Sequence, residues 1–233
     1  MISVIIPSYV VDDINFEILK QSIGSLRATI DASFEIIIID NGSIPEASKF
    51  MKQYAHLYVY KSQPIGWARC SNIGLSLCEG NYISIVNNDV VFQDNWWGSL
   101  IEAINYYDLG VASSNDGTTS IPDGTINYGR FFGACYMMNR ETFVKIGYLD
   151  EKLNERFADQ DYWCRMLSAG KKIGCVGNSH IFHYNEVTWS KLSNRDEANK
   201  REREIMVKKW GYAHAFEWIK EGKGKEIFDK LIS

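Results

Sequence analysis

The sequence predicts an α/β layered fold with a mainly parallel sheet, and two observations predict it. Over the first half of the chain, short β-branched runs alternate with segments whose apolar residues recur at helical spacing. One run, Ile36-Ile37-Ile38-Ile39, is apolar without alternation, the pattern of a parallel strand covered on both faces. The chain has 233 residues, 45% of them hydrophobic and 23% charged, which suits one globular domain or one domain with an appendage.

Taken in order, Ser3-Val4-Ile5-Ile6 is a first strand stopped by Pro7. Ile14, Ile18, Leu19, Ile23, Leu26 and Ile30 then mark a helix. Phe34 to Asp40 is the second strand, Asn41-Gly42-Ser43 a turn, and Pro45 stands where a helix begins. Leu57 to Tyr60 is a third strand, Trp67 to Leu77 a helix, and Tyr82 to Val86 a fourth strand with Asn87-Asn88-Asp89 at its C-terminal end. A helix near Asn95 to Tyr106 and the run Gly110-Val111-Ala112 follow. Ser113 to Gly129 is rich in turn chemistry and reads as a loop over a site, a lid or acceptor wall, or else as a plain surface hairpin.

Phe131 to Met138 is a further strand, with helices near 140–146 and 159–169 and strand signals over 173–176. Arg195 to Lys209 is a charged helix. Trp210, Phe216 and Trp218, set among lysines, either pack on the preceding domain or dock on a partner, an acceptor or a membrane surface. The expected division is a main domain over 1–190 and a helical extension over 191–233 packed on it.

Composition excludes some classes. With 25 Lys+Arg against 29 Asp+Glu, the net charge of −4 argues against a strongly basic nucleic-acid binder. No apolar run reaches the ~18–20 residues of a membrane span. The N-terminus lacks a basic segment and a cleavage site, so a cytoplasmic protein, or one peripheral to a membrane, is expected. Cys70, Cys78, Cys135, Cys164 and Cys175 are widely spaced and form no CxxC, as buried reduced thiols would.

In open α/β sheets ligands bind outside the carboxyl ends of the strands. Asp40 at such an end is a candidate acceptor for the N–H of a pyrimidine base, or else an Asx-turn or helix cap. Gly66 precedes a helix whose free N–H groups favour an anion, and Arg69 and Asn72 share a face of that helix. Asp89 is a rim carboxylate suited to a divalent cation that bridges a diphosphate, or else part of a turn. Asp159 and Asp161 fall in the first turn of a helix. Asp161 pairs with Arg165 at i,i+4, leaving Asp159 as a candidate general base or as the N-cap. His180 and His183 alternate along a strand, and His183 could complete a metal shell.

In their order and spacing these pieces resemble the family-2 glycosyltransferases of the GT-A fold. The resemblance spans Ser3 to about Trp189: Ser3–Tyr9, Glu35–Ser43, Gly66–Gly74, Asn87-Asn88-Asp89, Phe132-Gly133-Ala134, Gly147–Glu151, Asp159-Gln160-Asp161 with Arg165, and His183. It implies a Rossmann-like mixed sheet flanked by helices. The implied activity is metal-assisted, inverting transfer of a sugar from a UDP- or dTDP-sugar to an acceptor hydroxyl, on a glycan, a lipid-linked sugar or another molecule. Pro7, Ser8, Tyr9 and Asp40 would hold the nucleoside, and Gly66, Arg69 and Asn72 would flank it. Asn88 and Asp89 match the DxD motif, whose last Asp binds Mn²⁺ or Mg²⁺, with His183 as a further metal or diphosphate contact. Asp159 matches the catalytic base. Gly133 and Ala134 match a wall of the sugar pocket, to which Asp161 and Tyr128 are added as pocket candidates.

Two positions depart from the pattern. Asn87 opens the DxD, leaving one carboxylate, and Ala158 stands where the family usually has Glu. They are the support for a second reading, a non-catalytic nucleotide-sugar- or glycan-binding relative. A nucleotidyltransferase would carry a Gly-rich basic loop after the first strand, where this chain has Pro7-Ser8-Tyr9-Val10-Val11-Asp12-Asp13.

Overall fold

Alternate residues of the first two strands serve two different cores. Ile2, Val4, Ile6, Ile36 and Ile38 point into one apolar layer, and Ile5, Ile37 and Ile39 into the other. Both faces of the sheet are therefore covered, as the unbroken isoleucine run requires. The structure, a computed structural model, describes residues 1–118, 120–185 and 195–232. Its elements are β1 (Ile2–Ser8), α1 (Asp13–Thr29), β2 (Phe34–Asp40), α2 (Pro45–Tyr54), β3 (Leu57–Tyr60), α3 (Trp67–Leu77), β4 (Tyr82–Val86), β5 (Val90–Phe92) and α4 (Trp96–Tyr106). There follow β6 (Leu109–Asn115), β7 (Ile126–Tyr128), β8 (Cys135–Asn139), α5 (Arg140–Ile146), α6 (Ala158–Ser168), β9 (Lys172–His183), α7 (Arg195–Trp210), α8 (Ala215–Lys220) and α9 (Gly222–Ile232).

The strand order is β3-β2-β1-β4-β8-β6-β9-β5, with β7 also paired to β9. Pairing is parallel from β3 through β4 and between β6 and β9; β8 runs antiparallel to both β4 and β6, and β5 and β7 run antiparallel to β9. The sheet is thus mixed, as the resemblance implied, and the mainly parallel expectation holds only for its first half. The reversal at β8 matters for the site, because it sets the start of β8 beside the end of β4, with Val86 opposite Cys135.

Helices α1, α2 and α4 cover one face through Leu19, Ile23, Met51, Trp96 and Leu100. Helices α3, α5 and α6 cover the other through Leu75, Phe143, Tyr162 and Leu167. Asp12 and Asn139 cap α1 and α5 by accepting from the Asn15 and Thr142 N–H groups. Ile14, expected in the apolar stripe of α1, is instead exposed in its first turn. The strand expected over 173–176 continues to His183 and carries the edge strands β5 and β7.

Met206, Ala215, Trp218 and Ile219 join the same core as Tyr162 and Leu167, so α7 and α8 have no core of their own. The expected boundary at 190/191 lies outside the described residues. The stretch read as a loop over a site is tied to β9: Gly177 donates to Thr125 O, His180 meets Asp123 at 2.9 Å, and β7 pairs along 174–176. All five cysteines are buried free thiols, and burial pushes those of Cys70, Cys135 and Cys175 up to about 12. No described helix is long and apolar enough to cross a membrane.

Candidate functional site

The antiparallel step between β4 and β8 builds the centre of the site. Past the end of β4, the Asn87 N–H donates to Ala134 O at 2.8 Å, which draws the 87–89 segment beside Gly133 and Ala134. Gly133 lies so close to Asp159 that a Cβ there would fall 2.2 Å from the carboxylate oxygen. Only a glycine admits this approach. Asn87 Oδ1 accepts from the Trp67 indole at 3.1 Å, adding the start of α3 to the same rim. Asn87, Gly133 and Ala134 thus lie together past the end of β4, with Asp159 of α6 against Gly133 and Asp89 two residues beyond Asn87.

Asp89 is buried, and its Oδ1 has no hydrogen-bond donor. Register across β5 and β9 sets Val90 opposite His183. His183 Nε2 consequently comes 3.1 Å from that oxygen, close but not aligned as a hydrogen bond. A buried carboxylate oxygen with no aligned donor, facing an imidazole nitrogen, fits a divalent cation. No further His, Cys, Asp or Glu joins them into a cluster of three among the described residues, so other ligands would have to come from substrate oxygens or water.

Asp159 opens α6. Its Oδ1 accepts from the Gln160 N–H at 2.8 Å, and the side chain stays partly accessible. Loss of solvation raises its carboxyl to about 6, against the lowering effect of backbone donors and Arg156. Trp163 stands four residues after Asp159 and three after Gln160 on α6, so it neighbours both. Gln160 and Trp163, with Arg130, Phe131, His214 and Phe216, line a cavity of about 370 Å³ between the main domain and α8.

Several sequence-stated site residues stand elsewhere than expected. Two N–H groups of the first turn of α3 are already taken: Asn154 accepts from the Ala68 N–H with its carbonyl and from the Arg69 N–H with its side chain. Gly66, at φ +94°, leaves room for that cap, since a Cβ would sit 1.8 Å from the Asn154 amide. The Asn72 side chain ties α3 to the 149–151 segment: it donates to Leu149 O and Glu151 and accepts from the Leu149 N–H. Arg69 is half-exposed, 3.5 Å from Glu151. Asp161 is no pocket residue: it is fully buried, with Arg165 on one oxygen and Lys209 and the Trp210 indole on the other. Tyr128 is half-buried on the core layer beneath α1 and α4, with Ile126.

Asp40 ends β2 with no accessible surface and accepts from the Ser43 N–H, the Ser48 hydroxyl and the Tyr58 hydroxyl. Burial and this carboxylate hold the Tyr58 phenol above its ordinary range. Ser8 lies opposite Asp40 in the register, and its carbonyl accepts from Asn41. Pro7, Ser8 and Tyr9 close β1 at this same end, while Asn88 lies half-buried in the turn before β5.

Sequence reasoning missed Asn154 and Glu202. Glu202 is fully buried on α7 and accepts from the N–H groups of Glu155, Arg156 and Phe157. A signal existed: Ala198, Glu202 and Met206 are four apart, one buried helix stripe with a carboxylate at its middle.

The mixed sheet flanked by helices is a GT-A-type α/β fold. Residues 3–174 match the model of glycosyl transferase family 2, and the chain belongs to that family. It is 25% identical over 169 residues to the glycosyltransferase GlyG of Streptococcus pneumoniae, spanning 68% of this chain and 51% of that protein. It is 20% identical over 207 residues to the O-antigen biosynthesis protein RfbC of Myxococcus xanthus, spanning 72% of this chain and 16% of that one. The chain spans from 14% to 51% of the length of these and the other curated relatives it matches. Among solved structures, the mannosyltransferase PcManGT of Pyrobaculum calidifontis, in complex with GDP-Man and Mn²⁺, superposes with a TM-score of 0.64 at 12% identity, covering 99% of this chain and 67% of that one. S. aureus TarS (1-349) superposes with a TM-score of 0.58 at 13% identity, covering 90% and 72%.

Proposed function

We propose that this chain transfers a sugar from a nucleoside-diphosphate donor to an acceptor hydroxyl by single displacement, with inversion. The observation that carries the reading is the shared rim: Asp89, whose buried oxygen has no aligned donor and faces His183 at 3.1 Å, and Asp159 with a raised pKa, linked through Asn87, Ala134 and Gly133. Family membership supports transfer from an activated sugar, and the GDP-Man and Mn²⁺ complex of PcManGT supports the donor class and a divalent ion.

In this reading Asp159 accepts the proton of the incoming hydroxyl as its oxygen bonds to the anomeric carbon, and the bond to the diphosphate breaks with its electron pair. A carboxyl near 6 is ionised at neutral pH yet basic enough to take that proton. Asp89 and His183 would hold Mn²⁺ or Mg²⁺, which when bound supplies charge stabilisation to the departing diphosphate. Pro7, Ser8, Tyr9 and Asn88 line the nucleotide side, and Asp40 organises the 41–43 turn there. Gly133 and Ala134 wall the sugar. The acceptor approaches Asp159 past Trp163, its i+4 neighbour, from the cavity that Gln160 and Trp163 line and α8 closes.

A thermal-shift panel of UDP-, dTDP- and GDP-sugars, each with and without Mn²⁺, tests the reading. One donor is expected to raise the Tm in a Mn²⁺-dependent way, as binding to the native state must. Asp89→Ala is expected to abolish the Mn²⁺-dependent part. A panel without any Mn²⁺-dependent shift would overturn the donor and metal assignment, and binding without turnover would mark a non-catalytic relative.

A further inference from the structure

The turn that presents Asp159 is anchored by a residue from a distant helix. Glu202, on α7, is fully buried. Its Oε1 accepts from the Glu155 N–H at 2.9 Å, and its Oε2 from the Arg156 N–H at 2.9 Å and the Phe157 N–H at 3.3 Å. These three amides immediately precede α6, whose second residue is Asp159. Phe157, at the N-cap, makes no side-chain cap bond, and Ala158 has no polar side chain to offer. A carboxylate accepting from consecutive N–H groups at a helix start is charge-assisted and complements the helix dipole.

We propose that Glu202 is the positioning residue of the site: it fixes the 155–157 turn, and with it the direction in which Asp159 faces the rim. The assignment of Asp159 as base rests on the reading above; the hold of Glu202 on the turn does not. Glu202 acts on Asp159 in a second way, through charge. The groups around the two carboxylates are Arg156 and Glu155 on the turn, Arg201 on α7 at 3.6 Å from Glu202, and Arg69, which acts on Glu155. Asp161, further along α6, is bound to Arg165 and Lys209. Among them Glu202 is the group that opposes ionisation of Asp159, and Arg156 the one that favours it.

Glu202→Gln separates this from a general packing role. The volume is kept, but one oxygen becomes an NH₂ that faces backbone N–H groups and cannot accept from them. Carboxyl NMR titration of Asp159 in the folded variant is expected to show its midpoint falling slightly below about 6, because the lost solvation that dominates the shift is unchanged and only the smaller repulsion from Glu202 is removed. With the donor found by the panel, kcat is expected to fall on the order of 10-fold with little change in donor KM, because the base is displaced rather than removed. An unmoved Asp159 midpoint together with an unchanged kcat overturns the inference. If Glu202→Gln does not fold, the wild type decides: the amide protons of 155–157 must be protected from hydrogen exchange like those inside α6, and amides that exchange as an open turn does overturn it. Asp159→Asn is the separate control. Full turnover in that variant defeats the base reading, while the titration result for Glu202 stands on its own.

Discussion

Asp159 and Asp161 stand two residues apart on the same helix and have opposite surroundings. Asp161 is fully buried, and Arg165, Lys209 and the Trp210 indole occupy its oxygens at 2.7–2.9 Å. Asp159 keeps a partly open side chain, one backbone donor at 2.8 Å, and a carboxyl raised to about 6 by lost solvation. Three donors stabilise one carboxylate as structure, whereas sparse donation leaves the other reactive. Proximity in sequence therefore says little about shared role. Successive helix positions differ in direction by about 100°, so two steps turn one side chain into the α6–α7 seam and the other toward the rim.

The sharpest way to break this contrast is to neutralise each carboxylate. Asp159→Asn is expected to lower turnover by about 10²–10⁴-fold while donor binding stays near wild type. Steady-state kinetics beside calorimetric donor affinity would check it, and a variant retaining most of its turnover would remove Asp159 from the chemistry. Asp161→Ala is expected to do the reverse. It leaves Arg165 and Lys209 without their shared partner, a loss of about 3 kcal/mol in unfolding free energy, at the lower end for a broken buried pair because both cations keep some solvent. Chemical denaturation would read it. Turnover per folded molecule is expected to change far less than in Asp159→Asn.

The same contrast has a sign in pH. A carboxyl raised from 3.8 to about 6 binds a proton more tightly in the folded chain than in the unfolded one. The stability it contributes is complete below about pH 3.8 and is lost as pH rises through about 6. The shift corresponds to about 3 kcal/mol, of which a partly hydrated group would return about 1–2 kcal/mol. Asp159→Asn is therefore expected to raise the Tm at pH 8 relative to wild type, with the gain shrinking toward pH 4. The proposed activity is expected to rise as pH increases through about 6. An Asp159→Asn chain no more stable than wild type at pH 8 would mean that the carboxylate is better solvated than its setting implies.

What the sequence disclosed follows from how local each signal is. The β2 isoleucines, the Pro45 helix start and the Asp161–Arg165 pair depend on neighbours within a few residues, and each appears in the structure as read. The rim depends on long-range pairing. That Gly133 touches Asp159, or that Asn154 caps α3 from more than 80 residues away, follows from the reversal at β8 and the path of the 147–157 loop, which no local pattern encodes. Glu202 was hidden for another reason. In a helix with Lys200, Arg201, Arg203 and Glu204 around it, a buried carboxylate looks like one more solvated charge. Only the spacing from Ala198 to Met206 distinguishes it. At the helix start after Gly66, Asn154 holds two of the expected donors, because a helix start records that donors exist, not whether another segment has already taken them.

The smallest test asks how much of the hold on Asp161 is ionic. Trp210 donates to the same oxygen that Lys209 approaches, 2.9 and 2.7 Å away, and its ring meets Trp218 edge-on at 5.2 Å. Trp210→Phe removes the neutral donor and part of that aromatic contact but leaves both cations in place. The expected cost is about 1–2 kcal/mol, one hydrogen bond to a charged acceptor plus some packing, measured by chemical denaturation. That is less than Asp161→Ala, because the oxygen keeps Lys209. A Trp210→Phe chain as unstable as Asp161→Ala would shift the explanation from charge to shape: the α6–α7 seam would then depend on the indole, and Asp161 would be buried because the tryptophan covers it.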